Sequence, residues 1–350
     1  MDLKAKKIAV LGTGANGAGI GADLVRAGLD VTFIDQWPDN VEAIRHNQLQ
    51  VVLKEKEHFK VEVNIIHLCQ VAELIEKFDV VLLLMKAYDT AWACRLIAPY
   101  LNSDGFIVGV QNGMTGHEIV EAVGPERALA AVIEVTAAMY EPGVVERHSG
   151  HDRSWFAVGA PDSKASHHIP VAAEILKIAG VVEMVEDIDS PKWMKLILNA
   201  AELVPSAILD LSIVEAIEYK DMKTHMLAAG NEAVRAAEIL NYKIRPIFGM
   251  SGDQASSPDT FVETVFDELA KNYILAHSKS TVLQDWIKGR HSEVNELNGL
   301  VVKALGSAGQ ASPANQAMVE FALDIENGTK TRGVHNYEHL VARILELRGE

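Results

Sequence analysis

Three glycines near the amino terminus have the spacing of a dinucleotide-binding loop. Gly12, Gly14 and Gly17 form the pattern G-x-G-x-x-G, between a predicted buried strand at residues 8–11 and a predicted helix at residues 16–27. In such a loop the first glycine allows a tight turn, the second lets the backbone approach a pyrophosphate, and the third lets the helix pack closely. The helix amino terminus adds unpaired N–H groups for the phosphate. The pattern predicts a nicotinamide or flavin nucleotide site that includes Gly12, Gly14, Asn16 and Gly17.

An acidic residue ends the second predicted strand, where dinucleotide-binding domains contact ribose. Residues 31–34 predict the strand, and Asp35 follows it. Its carboxylate can accept hydrogen bonds from the adenosine ribose hydroxyls, whereas a 2′-phosphate beside it would place like charges together. Gln36 adds no positive charge, and the next basic residue along the chain is Arg45. We expect NADH as the cofactor. NADPH is the alternative if Asp35 turns to solvent and a basic side chain neutralises the phosphate.

A lysine and an asparagine share one face of a predicted helix in the second half of the chain. Lys195 and Asn199 are four residues apart, and Leu196 and Leu203 lie on the same side. A partly desolvated lysine can act as a general acid near neutral pH. The alternative is a solvated surface lysine, which is the commoner position for this residue type.

Two further candidates lie at the predicted starts of late helices. Glu293 precedes Asn298 in one of them, where Ser292 could be an ordinary N-cap and Glu293 an acid of the first turn. Thr281 begins another predicted helix, where its hydroxyl could simply cap the helix.

Two more candidates lie at predicted strand ends. Asn112 follows the strand at residues 106–110, where it would face a cleft, although Asn-Gly is also a common turn pair. Lys86 ends the apolar run at residues 79–86, at the carboxyl edge where such sheets bind ligands. Its structural alternative is a solvated strand end.

The chain divides into two predicted domains with different patterns. Residues 1–188 alternate strands and helices, which indicates an α/β dinucleotide-binding domain with a Rossmann-type, doubly wound sheet. Within it, residues 144–160 predict a hairpin and residues 71–78 predict a helix. From Ser190 and Pro191 onward the pattern is helical. We predict an all-α domain at residues 189–350 that binds substrate and a second subunit, with a cleft between the domains.

Composition excludes several classes of partner. The chain has 350 residues, 49% of them hydrophobic, and a net charge of −16, which disfavours nucleic acid and anionic membranes. Because no apolar stretch approaches the roughly 20 residues of a membrane span, we expect no membrane segment. Cys69 and Cys94 lie in apolar surroundings and are expected to be buried thiols of a cytoplasmic protein.

The histidines do not show the spacing of a metal site. His167 and His168, and also His148 and His151, lie in polar segments without nearby cysteines or paired carboxylates. From the sequence we therefore expect no metal ligands.

Several motifs together resemble the ketopantoate reductase family. They are GTGANGAGIGADL, Lys86 followed by AYDT, QNGMTGHE, WMKLILN, TVLQD and SEVNELNG, and they cover roughly residues 6–325. The resemblance implies the two-domain fold and the reduction of a 2-oxo acid to a D-2-hydroxy acid with a nicotinamide cofactor. We also expect a homodimer, because the last helix has an apolar face, with Leu340, Ile344 and Leu347, that could contact a partner subunit.

The resemblance also implies roles for individual residues. Lys195 matches the family's catalytic lysine, which protonates the carbonyl oxygen, and Glu293 matches the acid that holds the substrate hydroxyl or the lysine. Asn199 and Asn112 match amides that contact the substrate, and Thr281 matches a serine that binds its carboxylate. Lys86 matches a lysine near the cofactor.

Three departures from the family pattern bear on substrate and cofactor. Glu202 and Leu203 stand where relatives carry a second asparagine, and Glu134 stands in a stretch that is threonine-rich in relatives. Asp35 and Gln36 replace the arginine of NADPH-using relatives and resemble the NAD-using 2-hydroxy acid dehydrogenases. The alternatives are a reductase of another oxo acid or β-dicarbonyl compound, with Glu134 recognising an amine or hydroxyl, and a non-catalytic nucleotide-sensing protein.

Overall fold

The computed structural model describes residues 2–53, 58–248, 250, 257–272 and 278–350. The chain forms two compact units, Met1–Asp189 and Ser190–Glu350. Strands and helices alternate in the first unit, whereas the described residues of the second unit form helices and no strands. The predicted α/β fold followed by a helical region is therefore confirmed.

The first unit contains twelve strands and five α-helices within its described residues. The strands are β1 (Lys7–Leu11), β2 (Asp30–Asp35), β3 (Leu49–Leu53), β4 (His58–Val61), β5 (Asn64–His67), β6 (Phe78–Leu83), β7 (Leu101–Val110), β8 (Ala128–Glu134), β9 (Ala137–Ala138), β10 (Val144–Arg147), β11 (Trp155–Gly159) and β12 (Val181–Met184). The helices are α1 (Ala15–Arg26), α2 (Pro38–Asn47), α3 (Thr90–Ile97), α4 (Gly116–Val123) and α5 (Ile169–Leu176).

The main sheet has the strand order β12-β11-β8-β7-β6-β1-β2-β5. All neighbours from β5 to β8 pair in parallel, and β11 runs antiparallel to β8. Ile8 to Leu11 of β1 are fully buried, as expected for a parallel strand with both faces covered. Because β8, β7, β6, β1 and β2 run in the same direction, their carboxyl ends share one edge of the sheet.

A second sheet has the order β4-β3-β10-β9, and it corrects the predicted hairpin. β10 pairs in parallel with β3, whereas β11 belongs to the main sheet, so the two segments of residues 144–160 do not pair with each other. Arg147 holds the end of β10 in its place. Its buried guanidinium forms an ion pair with Asp23 of α1 and donates to the carbonyl oxygen of Ala179 at 2.7 Å. Burial raises the pKa of Asp23, and the Arg147 charge opposes that rise.

The helix predicted at residues 71–78 is also wrong. Leu68–Glu73 forms a 3₁₀ turn, and β6 already begins at Phe78. The side chain of Gln70 accepts a hydrogen bond from the His67 backbone at 3.0 Å, which fixes the start of the turn. Phe78 is buried and pairs with Leu101, so sheet pairing prevails over the local helical pattern.

The two cysteines differ, which corrects half of the prediction for them. Cys94 is buried, and burial raises the pKa of its thiol to about 12. Cys69 is exposed, because the 3₁₀ turn places it on the surface, with its Sγ 2.8 Å from Nδ1 of His67.

The second unit contains eight helices within its described residues. They are α6 (Asp189–Ile208), α7 (Ile213–Glu218), α8 (Met222–Ile239), α9 (Pro258–Asn272), α10 (Thr281–Ile287), α11 (Asn298–Ser307), α12 (Pro313–Glu326) and α13 (Tyr337–Arg348). In the central helix α6 every residue from Ser190 to Ile208 is buried. None of the described helices of the chain combines the length and apolarity that a bilayer crossing requires.

Two expectations for the second unit are wrong. Ser292 does not cap a helix, because α11 begins only at Asn298, and the Ser292 hydroxyl instead donates to Glu326 at 2.5 Å. Leu340 and Ile344 of α13 are fully buried in the unit's own core. Their apolar face is therefore unavailable as the surface for a second subunit.

His225 of α8 is a buried histidine that burial keeps neutral. It is 5% exposed, and among the described residues neither ring nitrogen has a hydrogen-bond partner. Burial lowers its pKa, and Asp221, 3.9 Å away, opposes this shift only in part, while the charge of Arg348 adds to it.

We predict that His225 makes the folded state less stable in mild acid. Because the folded pKa lies below the unfolded value of about 6.5, the unfolded state takes up a proton first as pH falls. Well above pH 6.5 His225 does not change the free energy of unfolding, and near pH 5.5 it lowers that free energy by up to about 1 kcal/mol. His225→Leu should remove this loss, as measured by urea unfolding at pH 7.5 and 5.5. Parallel losses in both proteins would contradict the prediction.

Candidate active site

In the glycine loop that joins β1 to α1, two of the three glycines leave no room for a side chain. Gly12 has φ +95°, which favours glycine. A Cβ at Gly17 would lie 2.0 Å from the carbonyl oxygen of Gly12, so only glycine permits this approach of helix and loop. At Gly14, the N-cap of α1, an added Cβ would meet nothing within 4 Å, and no side chain caps the helix. The loop therefore has a helix amino terminus beside open space.

Asp35 ends β2 and is held firmly in the interior. Its Oδ2 accepts hydrogen bonds of 2.6 Å from both Thr13 Oγ1 and Asn40 Nδ2, and its Oδ1 accepts one of 3.2 Å from the Trp37 backbone. The residue is 5% exposed. Because a carboxylate offers about four acceptor sites, the three bonds leave room for one more donor, at Oδ1.

The remaining predicted residues of the first unit follow the same sheet edge. Lys86 lies just beyond the end of β6, Asn112 just beyond the end of β7, and Glu134 is the last residue of β8. All three are half-buried. Gln111 fixes the loop that carries Asn112, because its Nε2 donates to the Met85 carbonyl at 2.8 Å and to Thr90 Oγ1 at 3.0 Å. The fold thus brings these residues to the edge that also carries the glycine loop and Asp35.

Two buried polar atoms at this edge lack hydrogen-bond partners among the described residues. They are Oδ1 of Asn16, in the first turn of α1, and Oγ1 of Thr115, just before α4. A buried polar atom without a partner costs about 1–3 kcal/mol, so such atoms indicate a ligand. Together with the open space at Gly14, they fit a dinucleotide whose pyrophosphate lies at the start of α1.

In the second unit, α6 carries a stripe of buried polar side chains. The stripe repeats at intervals of three and four residues, and its members are Lys192, Lys195, Asn199, Glu202 and Ser206. Lys195 is 8% exposed, and its Nζ lies 5.2 Å from the centre of the Phe248 ring. Asn199 is 2% exposed, and its Nδ2 has no hydrogen-bond partner among the described residues. The predicted pair Lys195 and Asn199 therefore shares a buried face, which rules out a solvated surface lysine.

Thr281 and Glu293 lie in segments that are hydrogen-bonded to α6 close to each residue, through Ser280 and Asn298 respectively. Thr281 is the first residue of α10, and the true N-cap is Ser280, whose hydroxyl also donates to the Leu203 carbonyl of α6 at 2.8 Å. Glu293 is buried in the turn before α11, not in a helix. The first residue of α11, Asn298, donates to the Ala200 carbonyl of α6 at 2.9 Å, which ties the end of this turn to α6.

A polar network fixes the helices around α6. Asn298 Nδ2 also donates to Asn315 Oδ1 at 2.9 Å, and Asn315 Nδ2 donates to Glu232 of α8 at 2.7 Å. The buried Glu232 carboxylate accepts two more bonds from the backbone at the start of α12, from Ala314 and Asn315. Burial nevertheless raises its pKa. The network links α6, α8, α11 and α12, so the site residues of α6 lie on a rigid support.

Sequence reasoning missed Thr115, Asn40 and Phe248. Thr115 lies within the QNGMTGHE motif but was given no role, and only the fold shows that its hydroxyl is buried and that Asn40 donates to Asp35. Phe248 belongs to a stretch predicted as a polar loop at residues 248–260, part of which lies outside the described residues. It is buried and has φ +59°, a conformation that bulky residues rarely adopt. Strained backbone of this kind is frequent at ligand sites.

Comparisons with known proteins agree with this arrangement. The family model described as "Ketopantoate reductase PanE/ApbA" matches residues 8–161, and its carboxyl-terminal counterpart, "Ketopantoate reductase PanE/ApbA C terminal", matches residues 187–326. The chain is 27% identical over 327 residues to a 2-dehydropantoate 2-reductase of Archaeoglobus fulgidus, covering 93% of this chain and all of that one. A second 2-dehydropantoate 2-reductase, of Pyrococcus horikoshii, is 26% identical over 93% of this chain and all of that one.

Solved structures show the same fold. A PanE/ApbA family ketopantoate reductase from Ralstonia eutropha has a TM-score of 0.76 at 25% identity, covering 92% of this chain and 99% of that one. D-mandelate dehydrogenase with NADH and anilino(oxo)acetate has a TM-score of 0.80 at 19% identity, covering 92% of this chain and 98% of that one. The two family models together span most of the sequence, one in each unit. The chain therefore belongs to the ketopantoate reductase family.

Proposed function

We propose that this protein reduces a 2-oxo acid to a 2-hydroxy acid with a nicotinamide cofactor, and that it prefers NADH. Residues 1–188 would bind the dinucleotide, and residues 189–350 would bind the substrate. Membership of a family of nicotinamide-dependent reductases supports the reaction class.

The observation that carries the proposal is the buried pair on α6. A lysine and an amide donor are expensive to bury in the core of a helical unit. Asn199 Nδ2 has no hydrogen-bond partner among the described residues, whereas the Nδ2 groups of two other asparagines of this unit, Asn298 and Asn315, each donate to a backbone carbonyl. A bound substrate oxygen would satisfy this donor. The burial of Lys195 and Asn199 is therefore better explained by binding than by stability.

The proposed mechanism assigns one task to each side chain. The glycine loop and Asp35 would hold a nicotinamide cofactor, which when bound would supply a hydride for the carbonyl carbon of the oxo acid. The Lys195 ammonium donates a proton to the carbonyl oxygen, which relieves the negative charge that develops there. Glu293 holds the lysine or the new hydroxyl in place. Asn112 and Asn199 donate hydrogen bonds to the substrate, and the Thr281 hydroxyl binds its carboxylate.

The cofactor preference rests on the surroundings of Asp35. Thr13, Asn40 and the Trp37 backbone prevent its carboxylate from turning to solvent, which was the condition for NADPH. Arg45, the next basic residue, is engaged with Glu42 at 2.8 Å and Gln70 at 2.5 Å. A 2′-phosphate near Asp35 would therefore meet a fixed negative charge, whereas a ribose hydroxyl could donate to the remaining acceptor site.

The proposal also includes a role for Glu134, a homodimer and a cytoplasmic location. Glu134 ends β8 at the ligand edge, which supports a role in recognising a polar group of the substrate. A homodimer remains a proposal, without the support that α13 was expected to give. The cytoplasmic location rests on cysteine usage, and buried Cys94 agrees with it.

Replacing Lys195 tests the acid role. Lys195→Met keeps the length and the apolar stem of the side chain but removes the proton donor, so kcat should fall about 100-fold or more while nucleotide affinity changes little. The matched control is Lys192→Met, one turn earlier in the same buried stripe, which should retain far more activity. Steady-state kinetics with an oxo acid, followed by cofactor absorbance, provides the measurement. Near-normal kcat in Lys195→Met would exclude Lys195 as the acid.

Replacing Asn199 separates binding from stability. Asn199→Leu removes a buried donor that has no partner among the described residues, so unfolding free energy should stay equal or rise by about 1 kcal/mol. The same change should raise KM for the oxo acid about tenfold or more, because the substrate loses a hydrogen bond. Thermal unfolding and steady-state kinetics give the two numbers. A destabilised variant with unchanged KM would show that Asn199 serves only the fold.

Asp35→Asn tests the cofactor preference. The amide oxygen can still accept from Thr13 and Asn40, but the negative charge is gone, so kcat/KM with NADPH should rise relative to NADH by about tenfold or more. Asp39→Asn, an exposed acid in the first turn of α2, is the matched control and should leave the ratio unchanged. A wild-type protein that already prefers NADPH would contradict the proposal.

A further inference from the structure

Two histidines and an aspartate meet at the sheet edge opposite the glycine loop. Asp104 lies in the first half of β7, and Asn112, at the ligand edge, follows the other end of that strand. His167 and His168 lie just before α5. One ligating atom from each of the three residues lies within 4.8 Å of the other two. Residue spacing does not reveal this cluster, because Asp104 is more than sixty residues from the histidines in the chain.

We propose that Asp104, His167 and His168 bind a divalent transition-metal ion such as Zn²⁺. Two imidazoles and one carboxylate are a ligand set that suits zinc, and three protein ligands leave a position for water. Imidazole ligands disfavour Mg²⁺ and Ca²⁺, which take oxygen ligands. The proposal does not depend on the reaction assigned to the protein.

The histidines are already oriented for such a role. His167 Nδ1 lies 3.0 Å from the Lys164 carbonyl, a contact in which the ring nitrogen must be the donor. That bond fixes the tautomer and leaves the lone pair on Nε2, which is the usual arrangement behind a metal-binding histidine. His168 is 4% exposed and is held between two rings, with centroid distances of 4.2 Å to Phe106 and 3.9 Å to His167.

The Asp104 carboxylate supplies negative charge to the proposed site, and its side chain can move to bring the ligand atoms closer together. Asp104 Oδ1 lies 3.9 Å from His168 Nε2. Ligand atoms around tetrahedral zinc are about 3.4 Å apart, so the cluster must close by roughly an ångström. The Asp104 side chain is 84% exposed and can rotate to make that change.

Nearby positive charges limit the affinity. Lys6 and Arg127 act electrostatically on His168, and both repel a cation. Arg127 keeps its charge but is held in place, because it donates to the carbonyl oxygens of Gly105 and Asn102 at 2.7 and 2.8 Å. We therefore expect binding in the micromolar range and not the far tighter binding of a structural zinc site.

Calorimetric titration of the full-length, chelator-treated protein with zinc chloride tests the site. Wild type should bind one ion per chain. Asp104→Asn and His167→Ala should each weaken the affinity about tenfold or more. Both positions are exposed, so folding is preserved, and buried His168 is left intact. Zinc should also raise the Tm of wild type more than that of either variant.

His46→Ala is the matched control. His46 Nδ1 also contacts a backbone carbonyl, that of Glu42 at 2.7 Å, and a Glu42 carboxylate oxygen lies 3.8 Å away, but among the described residues His46 belongs to no cluster of three possible ligands. Its removal should leave zinc affinity unchanged. Absence of stoichiometric binding by wild type would overturn the proposal. So would wild-type affinity in both Asp104→Asn and His167→Ala.

Discussion

The Asp35 carboxylate is the interaction on which the first unit most depends. Three donors surround it, and each belongs to a different feature: Thr13 to the glycine loop, Trp37 to the entrance of α2, and Asn40 to α2 itself. Asn40 continues the chain of contacts, because its Oδ1 accepts from the Gly143 backbone at 2.8 Å in the turn before β10. An ionised carboxylate inside a protein is tolerable only when its acceptor sites are filled. The Asp35 carboxylate, which would bind the cofactor, thus also fixes the glycine loop that would hold the cofactor.

The second unit solves a comparable problem with neutral amides. Asn298 and Asn315 connect four helices, and each bond answers a polar group that the core would otherwise leave unsatisfied. Two buried amide atoms of this unit lack a hydrogen-bond partner among the described residues: Oδ1 of Asn298, which belongs to the network, and Nδ2 of Asn199, which does not. Under the proposed function a substrate oxygen would satisfy the Asn199 donor, so activity and stability would be in tension at this position in α6.

The sequence was informative wherever the signal is local. The glycine loop and the i, i+4 pair of Lys195 and Asn199 are set by spacing alone, and both lie where spacing predicts. The partner of β10 was not predictable, because periodicity identifies a strand but not the strand beside it. The predicted N-cap role of Ser292 was wrong for a related reason. Its partner, Glu326, is distant in sequence, and this tertiary contact replaces the expected helix cap. Asp104 and His167 belong to the same class, since only the fold brings them together.

The parallel pairing of β3 with β10 has a consequence for how the chain reaches this state. Residues 50 and 144 are neighbours in the sheet but stand about ninety positions apart in the chain. Their contact closes a long loop that contains four of the eight strands of the main sheet, β5 to β8. The entropic cost of closing this loop therefore falls only after β6, β7 and β8 have assembled. The small sheet should therefore form late in folding. Until then β3 has an unpaired edge, and nascent chains are open to wrong pairing with other strands.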